Sequence, residues 1–164
     1  METIAPNPQI VQIPASSIQD WYEPFIKLLF KYPQIHNVRT DQLLGLSSKT
    51  DLPAAFPNWD AQMVQLKQKD DKKRKNELKG IANYVDEFFF ISKDKATYLL
   101  SFLHHLRNAI AHGTVSFVAP YVEIKDYPYN PQTKRLSNTA NAYCRIRVDN
   151  LKKFFKILTD HQII

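Results

Sequence analysis

Glycine and cysteine are scarce in this sequence: three glycines and one cysteine stand among 164 residues. Phosphate-cradling loops need backbone conformations that glycine alone reaches cheaply. The chain holds neither a Walker-type run nor a dinucleotide fingerprint, which argues against nucleotide binding by those routes. The single cysteine, Cys144, permits no internal disulfide and no cysteine-built zinc site. Long apolar runs are missing too. Phe88-Phe89-Phe90-Ile91 is among the longest, far short of the roughly 20 residues that span a bilayer. The start, Met1 to Pro6, has neither the positive segment nor the apolar core of a secretion signal. The expectation is a cytoplasmic protein with no membrane partner, no resident cofactor and no metal.

What is present suits an ordinary folded chain: 44% hydrophobic, 23% charged and 12% aromatic residues. The length fits one domain with a real core. Lysine and arginine total 22 against 16 acids, a formal charge of +6 and a pI near 9.3, which favours an anionic partner such as RNA.

Along the chain, residues 1–16 carry Pro6, Pro8 and Pro14 and read as an extended arm. Ile18, Trp21, Tyr22, Phe25, Leu28 and Leu29 then recur at helical spacing, with Pro33 expected to close the segment. Residues 41–46 suit a short helix. Another is expected from Asn58, with Trp59, Met63 and Leu66 on one face. Residues 67–77 hold no apolar side chain, and the helical stripe resumes at Leu78, Ile81, Ala82, Val85, Phe88 and Phe89. Ser92 is placed to cap the next helix, from about Asp94 to His112, buried through Leu99, Phe102, Leu103, Leu106 and Ile110 and ended by Gly113. The period then changes. Tyr143 to Val148 alternate strictly, as a half-buried strand does, with residues 115–124 as hairpin partner. Asp149 is placed to cap a last helix with Leu151, Phe154, Phe155 and Leu158 inward. The expected fold is mainly α: a helical core at 17–113, extended by a hairpin and helix at 114–164, in one domain.

The segment His104-His105-Leu106-Arg107-Asn108-Ala109-Ile110-Ala111-His112-Gly113 carries the chemistry. At about 100° per residue, Ser101, His104, Asn108, Ala111 and His112 fall opposite the stripe centred on Leu106. These types suit metal-free cleavage of an RNA phosphodiester. The attacking 2′-hydroxyl must lose a proton and the leaving 5′-oxygen must gain one, and histidine can do either near neutrality. Arg107 can grip a phosphate with its planar fork, and Asn108 can orient the imidazole or bind a phosphate oxygen. One motif supplies one such histidine, whereas two copies across a twofold axis supply two. A homodimer with a shared cleft follows.

The octapeptide from Leu106 to Gly113 resembles the signature of the HEPN superfamily: an arginine, a polar residue, then a histidine with four to six positions intervening. Four intervene here and the polar one is Asn108. The resemblance implies a helical bundle and a metal-independent endoribonuclease whose motifs pair across a homodimer. It also implies a place among toxins or antiphage defence proteins, with a cognate antitoxin as partner. Arg107 and His112 would be catalytic and Asn108 supporting. The alternative is a non-catalytic module using the same face to bind RNA, a nucleotide or a protein. A plainer account also exists, since a basic residue and His112-Gly113 make a good helix end.

Other candidates are weaker. His104 and His105 can add a proton shuttle or a phosphate contact, though polar-face histidines are mostly just solvated. Tyr143, Arg145 and Arg147 share the outward side of their strand and can stack on and grip RNA, or be an exposed face of long side chains. Residues 67–79 can steer RNA, but Asp70, Asp71 and Glu77 among them favour a solvated face. His104, Asn108 and His112 have a spacing that a metal could use, with no carboxylate near on that helix to complete it. Cys144, inward with Ile146 and Val148, is a packing residue.

Overall fold

The computed structural model describes residues 15–37, 54–95 and 97–164. Its elements are α1 (Ala15–Asn37), α2 (Trp59–Gln62), β1 (Met63–Leu66), α3 (Asp71–Leu78), a 3-10 turn (Lys79–Asn83), β2 (Phe88–Ser92) and α4 (Tyr98–His112). There follow β3 (Val115–Val118), β4 (Tyr121–Asp126), a ribbon of β5 (Tyr129–Asn130) and β6 (Arg135–Leu136), then β7 (Ala142–Arg147) and α5 (Val148–Asp160). The arm expected at 1–16 lies outside the described residues, apart from Ala15 and Ser16, which open α1; so does the short helix expected at 41–46.

The mainly α expectation is overturned by a five-stranded mixed sheet in the order β1-β2-β7-β4-β3. β1 and β2 run parallel, with Leu66 beside Ser92, and the other neighbours are antiparallel. Two of these strands replace expected helix. Met63 and Leu66 belong to β1, because the helix from Trp59 stops at Gln62. The stripe after Leu78 breaks into the 3-10 turn and then β2, leaving Val85 92% exposed rather than buried. The expected single strand at 115–124 is a hairpin in its own right, turning at Ala119-Pro120, and β4 then joins β7.

The reason is burial on both faces. Successive strand residues point to opposite sides, so a strand covered on both sides is apolar at every position and shows no alternation. Phe89 and Ile91 face the main core, where Val122, Ile124, Cys144 and Ile146 from the sheet meet Trp21 and Leu28 of α1, the Leu99–Ala109 stripe of α4 and Leu151, Phe154, Phe155 and Leu158 of α5. Phe88 and Phe90 face a second, smaller cluster with Leu66, roofed by Leu78, Ile81 and Tyr84. Burial pushes the Cys144 thiol up, as suits a packing residue.

Local chemistry sets the helix ends. Thr97, not Ser92, caps α4: its hydroxyl accepts the Leu100 N–H at 3.1 Å. Ser92 ends β2 with its N–H on the Asn141 carbonyl. Gly113 closes α4 in the left-handed region at φ 68°, which a side chain there would strain. α1 continues through Pro33, against expectation. An interior proline costs about 3 kcal/mol, and the contacts of Tyr32 with α4 pin the turn that precedes it. Among the described residues, no helix is long and apolar enough to cross a membrane.

Candidate functional site

The strand ends Ser92, Asp126 and Ala142 lie at one end of the sheet, and the polar side of α4 packs against them. Asp126 is 3% exposed although it is a carboxylate. In β4 it shares parity with the inward Val122 and Ile124, so the strand's own pleat drives it inside. There its Oδ2 accepts two hydrogen bonds: from Nδ1 of His105 at 2.6 Å and from Nδ2 of Asn108 at 3.2 Å.

His105 is 1% exposed. Its other nitrogen, Nε2, lies 2.9 Å from the Ser92 carbonyl oxygen and 3.4 Å from an oxygen of Asp94. A carbonyl can only accept, so Nε2 carries a proton, and His105 with Asp126 joins α4 to both strand ends.

Asn108 is the hub of the half-buried part. Arg107 Nη1 donates to its Oδ1 at 2.9 Å, which fixes the amide orientation. Its Nδ2 therefore donates both to Asp126 and to Nε2 of His104 at 3.3 Å. With Nε2 accepting, the neutral His104 ring donates from Nδ1 to the Tyr32 hydroxyl at 2.8 Å. Burial, followed by the like charges of His105 and Lys95, lowers the His104 pKa from 6.5 to about 4. A neutral ring here is thus consistent with both charge and hydrogen bonding.

Arg107 lies over the Tyr32 ring, its guanidinium carbon 5.5 Å from the centroid. Its Nε is buried and has no hydrogen-bond partner among the described residues. His112, one turn beyond Asn108, is exposed on the helix tip beside Ala111 and Gly113, and makes no hydrogen bond or ion pair with a described residue. The structure thus joins Arg107, Asn108 and His104 directly and sets His112 apart from them. The neighbour that Asn108 touches is His104, one turn back, rather than His112. Ser101, placed by spacing on the polar side, is fully buried, its hydroxyl donating to the Thr97 carbonyl.

The other sequence candidates lie elsewhere and are already engaged. Arg147 pairs with Asp86 at 3.0 Å, and Arg145 Nε is 3.5 Å from Glu123 while its guanidinium covers Phe88. The Tyr143 hydroxyl donates to Glu123 at 3.2 Å, with Lys125 over its ring. Burial, the larger effect, holds the Tyr143 phenol above its ordinary range. Among the described residues, no cluster of histidine, cysteine, aspartate and glutamate is placed to hold a metal.

Sequence reasoning missed Tyr32 and Asp126, and treated His105 as an optional helper. Asp126 carried a legible signal, its parity with Val122 and Ile124. So did His105, which shares the buried stripe of Phe102, Leu106 and Ala109. Tyr32 carried none.

An α/β chain with an Arg-Asn-x-x-x-His helix end is what this geometry defines. The chain matches the family described as HEPN pEK499 p136 over residues 22–162 and belongs to it. Comparison with curated proteins and with solved structures gives no match. HEPN membership points to a nuclease-like, toxin-like or otherwise RNA-related role.

Proposed function

We propose that this chain is a metal-independent endoribonuclease that cuts RNA by attack of the 2′-hydroxyl on the adjacent phosphorus. His112 moves the proton, Arg107 takes the phosphate charge and Asn108 positions the arginine. The observation that carries the reading is the state of His112. It is an imidazole exposed at a helix tip, with no described residue holding either nitrogen. Such a ring keeps both nitrogens for substrate. Arg107 supports the reading: its half-buried guanidinium makes no ion pair with a described residue, which leaves its charge for a phosphate. Acid and base on opposite sides of the phosphorus require a second imidazole, which a sister subunit's copy of the motif would bring. The partners are RNA and a second copy of this chain; a toxin held in check by an antitoxin, or an antiphage nuclease, is the biological setting that suits them.

The test is purified protein with single-stranded RNA in EDTA. The expected result is cleavage leaving 2′,3′-cyclic phosphate ends, lost in His112→Ala. Equal cutting by that variant would overturn the mechanism.

A second reading, a module that binds RNA, a nucleotide or a protein without turnover, has one observation in its favour. Arg107 and Asn108 are bonded to each other and to Tyr32, His104 and Asp126 rather than to His112. Tight binding with no cleavage across varied RNAs would favour it.

A further inference from the structure

Residues 67–79 hold seven cations against three carboxylates, a net +4 of the chain's formal +6. Interspersed acids usually mean a self-neutralised solvated face. Here the structure gives each acid another task. Asp70 caps α3 by accepting the Lys73 N–H at 3.0 Å. Asp71 pairs with Arg74 and accepts from the Ser137 hydroxyl at 3.0 Å. Glu77 accepts the backbone N–H groups of Lys67 and Gln68 at 3.1–3.2 Å.

The one arginine is also used up: Arg74, 3% exposed, donates to the carbonyls of Lys69, Thr139 and Ala140 at 3.0–3.1 Å. What remains is Lys67, Lys69, Lys72, Lys73, Lys75 and Lys79. All six are exposed, and none forms an ion pair with a described residue. Five cations elsewhere are paired, Lys27, Lys125, Arg145, Arg147 and Lys156 each facing an acid within 4 Å. Lys93, Lys134, Arg135 and Lys153 lack an acid among the described residues but are not gathered in one run.

We infer that this lysine surface, running from the end of β1 along α3, binds the backbone of a nucleic-acid strand. The inference rests on the reading that the chain acts on RNA. Closely spaced, exposed ammonium groups without an acid partner match repeating phosphates and carry no base readout. A membrane surface fits worse, because α3 has no apolar face to insert: Leu78 is its one apolar residue and packs inward.

The surface also starts in the right place. Lys67 leaves β1 beside Ser92, whose carbonyl meets His105. Arg74 holds Ala140, and the next residue, Asn141, donates to the Asp126 carbonyl at 2.7 Å. A strand on the lysines is thus led to the end of the sheet that carries Arg107 and Asn108.

The experiment measures binding of a labelled single-stranded RNA to the His112→Ala chain, from low to moderate salt. It compares Lys69→Gln, Lys72→Gln, Lys73→Gln and Lys75→Gln combined with a control carrying Lys27→Gln, Lys125→Gln and Lys156→Gln. Each lost phosphate contact should flatten the slope of log affinity against log salt by about 0.7. The fourfold variant is expected to lose at least about tenfold in affinity near 0.1 M salt and up to about three units of slope, with the control within about twofold. Circular dichroism should be unchanged, because Arg74 and its partners stay. Equal losses in both variants, or an unchanged slope, would overturn the inference. So would lysine-dependent binding to phosphatidylserine vesicles with RNA binding intact. Cleavage is not read, so failure of the nuclease proposal leaves this result standing, and the reverse holds too.

Discussion

The middle and the tip of α4 carry the same side chain in opposite circumstances. In the middle, His105 is buried with both nitrogens bound, and His104 is half-buried, neutral and hydrogen-bonded at both. At the tip, His112 is exposed and bound to nothing described. The contrast separates holding from reacting. A histidine whose nitrogens are both committed to protein atoms fixes geometry; one with both free can exchange protons with a substrate.

The sharpest way to break the contrast is to remove one histidine from each region. His112→Ala should lower RNA cleavage by about 10²–10⁴-fold, the range for a lost general acid or base, with the thermal midpoint unmoved. A midpoint that drops markedly would place His112 among the structural histidines.

Asp126→Ala attacks the middle instead. It leaves the buried His105 without its carboxyl partner and Asn108 without an acceptor, and should cost about 3 kcal/mol in urea unfolding. A loss under about 0.5 kcal/mol, the ordinary range for a surface change, would mean that the pair does not hold the sheet end to α4.

His104 gives the smallest and most specific effect. Its folded pKa, about 4, lies below the ordinary 6.5. The unfolded chain therefore takes up a proton between these values that the folded chain refuses, and stability must fall as pH drops through that window. Discounted for the solvent reaching a half-buried ring, the loss is about 1–2 kcal/mol. His104→Gln should flatten stability over pH 6.5 to 4; an unaltered profile would assign the dependence elsewhere.

Much of this was legible in the sequence, unevenly. α4 was readable because its stripe repeats at helical spacing and ends at Gly113, and β7 because it alternates. β1 and β2 were not, since a strand apolar on both faces mimics a buried helix over a few residues. The position of Arg107, Asn108 and His112 at one helix end could be seen from spacing alone. Their surroundings could not, because Tyr32 and Asp126 arrive from elements distant in the chain. Charge was hardest: alternation marks Arg145 and Arg147 as outward, yet only the fold shows Asp86 and Glu123 beside them, and only the fold shows the acids of residues 67–79 turned to other partners.

The 2.6 Å contact between His105 and Asp126 also makes the molecule easy to watch. A proton held that close to a carboxylate, with water kept away, is strongly deshielded and slow to exchange. It should stand alone far downfield in the proton NMR spectrum, a single line that vanishes when the joint between helix and sheet opens.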